Sequence, residues 1–222
     1  MNILVLGAPG SGKGTYSRGL SEILKIPHIS SGDLLRSLRD DAEVGKTIKE
    51  YQDKGLVVPD KIVMPVLKKR LSMDDCKNGF ILDGITYNLN QAQMLEKITD
   101  IELVINLVLP DEILIKKNLG RRTCKKCGSS AYNLVEINES GIRMPALLPK
   151  KEGICDRCGG PLFIRSDDTE EVMRERLRVY WERIKPVLKF YRDKGLVRDF
   201  KVNSSPDVMI PKLLELIKNE LK

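Results

Sequence analysis

The chain has 222 residues, 41% of them hydrophobic and 31% charged, and carries a formal net charge of +7. That composition reads as a soluble domain with room for one α/β core and inserted subdomains, and no apolar run approaches the ~20 residues of a membrane span. The positive balance is dispersed, without the Lys/Arg block or basic–aromatic alternation of a nucleic-acid binder, so small anions or a plain mixed-charge surface account for it.

The first element is an apolar run, Ile3-Leu4-Val5-Leu6, that passes directly into Gly7-Ala8-Pro9-Gly10-Ser11-Gly12-Lys13-Gly14-Thr15 and then into helical sequence. A buried strand, a glycine-rich turn and a helix start make a phosphate cradle. Glycines let backbone N–H groups turn inward, the helix aims its positive end at the anion, and Lys13 adds a point charge. Gly7, Gly12 and Lys13 meet the G-x-x-x-x-G-K spacing, but Gly14 follows the lysine and the hydroxyl comes later, at Thr15. The alternative is a glycine-rich turn with an ordinary surface lysine, which requires four glycines, a lysine and the strand context to coincide. The apolar run is too short for a secretory leader and has no basic flank, which points to a cytoplasmic location.

Next, Ile26-Pro27-His28-Ile29 reads as a short strand, with Ser30-Ser31-Gly32-Asp33 as a turn and N-cap. His28, the lone histidine, reads as packed or solvated. Helical, highly charged sequence runs from Leu34 to Lys54 and stops at Gly55. Pro59 opens a further amphipathic helix through Met73, in which Pro65 predicts a kink or break. Asn78 to Asp83 and Ile101 to Leu109 are buried-strand candidates, each separated from the next by helical sequence. That alternation predicts βαβ units and a parallel sheet, with ligands at the C-terminal strand ends near Gly7–Thr15, Ser30–Asp33 and Asp83. A helix follows from Asp111. After a change of texture over 123–164, a charged helix spans Thr169 to Tyr191, a weak strand Val197 to Val202, and a last helix starts near Ser205 or Pro206.

The 123–164 insertion holds two C-x-x-C knuckles, Cys124-Lys125-Lys126-Cys127 and Cys155-Asp156-Arg157-Cys158, each followed by glycine. Four thiolates at that spacing suit a closed tetrahedral zinc site, structural rather than catalytic. Iron fits the same cage, and unligated thiols or a redox pair are the alternatives. Cys76 reads as a packing residue.

Taken in order, the glycine loop, Ser31-Gly32-Asp33-Leu34-Leu35-Arg36, Asp75-Cys76-Lys77-Asn78-Gly79-Phe80-Ile81-Leu82-Asp83-Gly84, Gly120-Arg121-Arg122 and Arg165-Ser166-Asp167-Asp168 give a chain that resembles the adenylate kinases over essentially its whole length. It is similar to the long-lid form, whose lid carries a structural zinc in some members. The resemblance implies a P-loop nucleoside monophosphate kinase fold with a five-stranded parallel sheet flanked by helices, and a core of 1–29, 60–120 and 165–222. It further implies a monophosphate-binding insertion at 30–59 and a zinc-bearing lid at 121–164. The implied reaction is ATP plus AMP to two ADP, with Mg²⁺ carried on ATP and a monomer as the default state.

By the same resemblance, Gly10, Ser11, Gly12, Lys13, Gly14, Thr15 and Arg121 hold ATP. Arg121, Arg165 and Arg176 close around both phosphate chains, and Asp83 holds water on Mg²⁺. Ser31, Arg36, the backbone of Val57, Val58 and Pro59, and Gln91 fall on acceptor positions, with Arg165 and Arg176 shared. Cys124, Cys127, Cys155 and Cys158 take the metal.

Two departures stand out. The family follows its strand-end acid with glycine, an aromatic residue, proline, arginine and threonine, whereas this chain has Gly84-Ile85-Thr86-Tyr87-Asn88. Tyr87 thus stands where an arginine grips the acceptor phosphate. Losing such a charge-assisted bond weakens acceptor binding by about 10- to 150-fold unless another group replaces it. Lys117 also stands where a hinge arginine is usual, keeping the charge and losing the fork. An adenylate kinase, a monophosphate kinase with another acceptor, and a low-activity ATP-binding regulator are therefore the readings to separate.

Overall fold

The computed structural model describes residues 1–38, 44–53, 58–129, 131–165 and 168–221; of these, the side chains at 33, 36, 37, 52 and 53 are not described. Its elements in chain order are β1 (Asn2–Gly7), α1 (Lys13–Leu24), β2 (His28–Ser30), α2 (Ser31–Ser37), α3 (Gly45–Asp53), α4 (Asp60–Leu71), a 3₁₀ turn (Asp74–Cys76), β3 (Phe80–Asp83) and α5 (Leu89–Glu96). There follow β4 (Leu103–Val108), α6 (Asp111–Gly120), β5 (Arg121–Cys124), β6 (Tyr132–Asn133), β7 (Ile137–Glu139), β8 (Ile142–Met144), β9 (Leu162–Phe163), α7 (Glu170–Arg192), β10 (Val197–Lys201) and α8 (Pro206–Glu220).

The main sheet has five parallel strands in the order β10-β4-β1-β3-β2. β1 occupies the centre because it is apolar on both faces: Ile3, Leu4 and Val5 are fully buried, each contributing roughly 1.5–3 kcal/mol. The chain lays β2 and β3 on one side of β1 and β4 and β10 on the other, so the sheet's switch point lies at the C-terminal end of β1, where Gly7 begins the loop. α8 packs on α1 so closely that a Cβ at Gly19 would stand 2.5 Å from Ile210 Cδ1. Among the described residues no helix is long and apolar enough to cross a membrane.

Two smaller apolar clusters stand apart from the main core. One is Ile48, Val58 and Val63, with Leu35, Val44, Tyr51 and Ile62 against it. The other is Cys124, Tyr132 and Cys155, with Cys158 and Leu162. The β7–β8 hairpin belongs to neither, because Ile137, Ile142 and Met144 join the main core and Arg143 N–H donates to Asn203 O at 2.9 Å.

Several local expectations are revised. The early strand lies one to two residues later than expected, because His28–Ser30 is the segment that pairs with β3. The long helix from Leu34 to Lys54 is two helices, α2 starting at Ser31 and α3 at Gly45, with 39–43 and 54–57 outside the described residues. α4 continues through Pro65 without a break. The strand at Val197 is a full parallel edge strand whose signal was weak because only Phe200 of its residues is buried.

Candidate active site

The glycine loop is shaped by positions that only glycine fills without strain. Gly10 and Gly12 have φ of +85° and +92°, and a Cβ at Gly10 would stand 2.0 Å from Asn118 Nδ2 and 2.9 Å from Leu114 O. Gly12 caps α1 without a side-chain bond; Thr15 and Tyr16 N–H bond back to Gly12 O at 2.9 and 3.0 Å, which leaves the amides ahead of them to serve the loop's interior. Lys13 Nζ lies along the loop, donating to Gly7 O at 2.7 Å and Ala8 O at 3.2 Å. Burial pushes the Lys13 ammonium below its ordinary value; Asp83 opposes this, and Arg176 and Arg121 add to it. Those three charged groups therefore all face the same lysine.

The loop opens into a cavity of about 1270 Å³, larger than the ~300–1,000 Å³ typical of a pocket for one small ligand. Its walls bring together Lys13, Thr15, Asp83, Lys117, Arg121, Arg165 and Arg176 from elements far apart in sequence. Arg121 grips the fully buried Asp168 carboxylate with two guanidinium nitrogens, which fixes its fork at the start of β5. Arg165 Nε donates to Thr123 Oγ1 at 3.2 Å. Burial lowers Lys117 to about 8; its ammonium lies 3.8 Å from where a Gly12 Cβ would be. Asp83 Oδ2 lies 3.5 Å from the Cβ position of Gly14 and 3.4 Å from His28 Nε2. A carboxylate and the Thr15 hydroxyl at this mouth are hard oxygen donors of the kind Mg²⁺ takes.

Beside Asp83 the cavity changes character. Ser31 Oγ donates to Gly84 O at 2.5 Å, and Tyr87, although 42% exposed, turns its hydroxyl to within 2.6 Å of the Cβ position of Gly84. The Tyr87 phenol is raised by burial first and then by Asp83, with the Ser31 hydroxyl and Arg176 acting the other way. Gln91 is buried, accepting from Tyr87 N–H at 2.7 Å and donating to Asp60 Oδ1 at 2.6 Å. Asn88 caps α5 by accepting from Gln91 N–H at 2.8 Å.

The four knuckle sulfurs lie within 4.8 Å of one another. Cys124 Sγ and Cys158 Sγ are 3.5 Å apart, Cys127 Sγ and Cys155 Sγ 3.7 Å, close to the ~3.8 Å edge of a tetrahedron with ~2.3 Å Zn–S bonds. The Cys127 N–H holds the Cys124 thiol below its ordinary value. A Cβ at Gly160 would stand 2.9 Å from Cys124 Sγ, so the second knuckle needs its glycine. The donor set fits zinc.

Comparison with known proteins agrees with this geometry. A family model described as "Adenylate kinase" matches residues 5–196. The chain is 46% identical over 203 residues to the adenylate kinase of Caldicellulosiruptor saccharolyticus, covering 89% of each chain. It is 42% identical over 229 aligned positions to that of Archaeoglobus fulgidus, covering 100% of both, and 41% identical over 226 to that of Thermodesulfovibrio yellowstonii. The chain belongs to the adenylate kinase family.

In this adenylate kinase family member Gly10, Gly12, Lys13, Gly14, Thr15, Asp83, Arg121, Arg165 and Arg176, the phosphate-binding candidates of the sequence, all line the cavity, and Ser11 is buried. On the other side Ser31 and Gln91 line it, but both ends of the Gln91 amide are already engaged by Tyr87 and Asp60. Val58 is buried in the small second cluster and Pro59 caps α4; neither lines the cavity. Val57 and the Arg36 side chain lie outside the described residues. Sequence reading missed Asn118, which closes against Gly10, and Asp168 as the anchor of Arg121. It also assigned no role to His28, which touches Asp83. None of the three has a local signal, because each partner is more than 40 residues away.

Proposed function

We infer that this protein catalyses reversible phosphoryl transfer from MgATP to AMP, giving two ADP. The observation that carries the reading is the convergence of Lys13, Asp83, Arg121 and Arg176 on one loop mouth at the C-terminal edge of the sheet. Phosphoryl transfer needs little covalent chemistry from protein; it needs in-line placement, charge neutralisation and exclusion of water. The loop amides and Lys13 hold the donor phosphates. Arg121, Arg165 and Arg176 offset the charge that spreads over the transferring group. Asp83 and Thr15 would hold Mg²⁺ with its waters, which supplies further charge neutralisation when bound. Ser31, Arg36, the Val57–Pro59 backbone and Gln91 take the acceptor.

On a core of 1–29, 60–120 and 165–222, the cluster of Ile48 and Val58, shared with Val63 of α4, supports a monophosphate-binding unit at 30–59. The cluster around Tyr132 supports a lid at 121–164 that closes to shut out water and rests on the core through its β7–β8 hairpin. Cys124, Cys127, Cys155 and Cys158 would hold structural zinc, which needs a reducing compartment and supports a cytoplasmic enzyme. We take it to be a monomer.

A coupled assay of ADP formation from MgATP with AMP, UMP, CMP and GMP tests the reading. AMP is expected to be the preferred acceptor. Turnover with another monophosphate and not AMP would favour the second reading, a different acceptor, which the uncharged Gly84–Asn88 segment motivates. ATP binding without any turnover would sink both.

A further inference from the structure

Of the cavity-wall cations that the reading above leaves without a role, Arg18, Lys117 and Arg183, the last stands on the same helix as Arg176. Arg176, Val179, Tyr180 and Arg183 form a stripe along α7 at helical spacing, and all four line the cavity. Tyr180 also joins the core beside Met173, Leu177, Ile184, Val187 and Leu188, so this stripe runs along the border between core and cavity. The other α7 arginines are committed: Arg174 pairs with Glu112 and Glu170, Arg178 with Glu175 and Glu182, Arg192 with Asp199. Arg183 is exposed, and among the described residues it makes no hydrogen bond or ion pair.

Its height on the helix matters. α5 and α7 both run from the C-terminal towards the N-terminal edge of the sheet and pack side by side. Lys194, just past the end of α7, contacts Glu96 at the end of α5, which fixes their lower ends at one level. At 1.5 Å per residue, Arg183 stands roughly 13 Å above Arg192, and Asn88 roughly 12 Å above Glu96. Arg183 is therefore level with the start of α5, directly after Tyr87. Tyr180, one turn earlier on the same stripe, is near enough to Tyr87 for the Tyr87 phenol to bear on it, while the cation of this stripe that bears on Tyr87 itself is Arg176.

A monophosphate entering beside Gly84 to Asn88 meets only neutral groups from that segment, and several of these are already bonded to Ser31 or Gln91. Arg36 and the shared Arg165 and Arg176 are already assigned to that dianion, and the guanidinium missing from the segment leaves room for one more cation with free donors. We propose that Arg183 binds the acceptor phosphate and supplies the charge that the Gly84–Asn88 segment lacks. This rests on the acceptor reading given above.

Steady-state kinetics of Arg183→Ala and Arg183→Lys, with MgATP and AMP varied separately, test the assignment. The alanine variant should raise KM for AMP by about 10- to 100-fold and the lysine variant by less. KM for MgATP and the melting temperature should stay near wild type. Tyr87→Arg in the Arg183→Ala background should restore most of the loss, since it returns a guanidinium to the neighbouring wall. With an active wild type, a KM for AMP within about twofold of wild type in Arg183→Ala, or an equal loss towards ATP and AMP, overturns the assignment. A wild type that turns over no AMP overturns the acceptor reading, and the assignment with it.

Discussion

The two ends of the cavity are built on different principles. At the donor end the groups that would meet phosphate are mostly backbone amides, held by glycines with positive φ, plus a lysine laid along the loop and three charged groups around it. Ser11 Oγ and Asn118 Oδ1 are buried there without hydrogen-bond partners. At the acceptor end the groups are side chains that satisfy one another, in a relay from Asp60 through Gln91 to the Tyr87 amide, with Ser31 bonded to Gly84. A backbone cradle is rigid and tolerant of sequence around it, whereas a side-chain relay can be rewritten one residue at a time. The departure at Tyr87 falls in the relay, and the one at Lys117, which keeps its charge, falls beside the loop.

The largest expected effect strikes the donor end. Lys13→Met removes the one charged side chain inside the loop and should lower kcat by about 100- to 1,000-fold. The melting temperature should change little or rise, because Lys13 is a charge held at a cost by burial among other cations. A Lys13→Met variant with near-normal kcat would mean that the backbone cradle suffices, and the contrast between the two ends would be overstated.

Gln91→Leu addresses the relay. It leaves the Tyr87 N–H and the Asp60 carboxylate without their partner, a loss of about 1–3 kcal/mol in stability. It should also raise KM for AMP about tenfold, while KM for MgATP holds. If both KM values rose together, the relay would be holding the whole cavity rather than its acceptor end.

What was legible beforehand divides along the same line. The donor loop is contiguous, so its glycine spacing, Lys13 and the preceding strand announced it, and the alternation of strands and helices gave the parallel sheet. The knuckles were legible for the same reason, each pair being local in sequence. The acceptor end was legible only as positions: nothing near Gln91 indicates that Asp60 engages its amide, and nothing near Ser31 indicates Gly84 as its partner. α2 and α3 merged into one expected helix because the sequence of both is charged and helical, and Leu35 of the one and Ile48 of the other pack into a single small cluster. Arg121 was read as a free phosphate clamp, whereas a fully buried Asp168 fixes its direction.

Lys117 gives the donor end a pH dependence that the acceptor end should lack. Burial holds it near 8, so it is charged below that value and neutral above it. KM for MgATP should therefore rise by severalfold, about 3- to 10-fold, between pH 7.5 and 9.5. KM for AMP should stay flat over the same range. In Lys117→Arg, whose guanidinium stays charged throughout, the MgATP curve should also be flat. A rise that persists in Lys117→Arg would assign the titration to another group.

The smallest expected effect on turnover belongs to the zinc knuckles, which neither end of the cavity uses, since none of the four cysteines lines it. Cys155→Ser, or treatment of the wild type with a strong chelator, should lower the melting temperature by on the order of 10 °C, because the small cluster around Tyr132 loses the bond set that closes it. Turnover in a cool assay should stay within about twofold of wild type, since the phosphate-binding groups are held elsewhere. The knuckles carry Thr123, to which Arg165 is bonded, on the strand that ends at Cys124. A large loss of kcat at low temperature with a normal melting curve would therefore mean that the metal site reaches the chemistry through Thr123 and Arg165, and the lid would have to be counted as a third part of the active site.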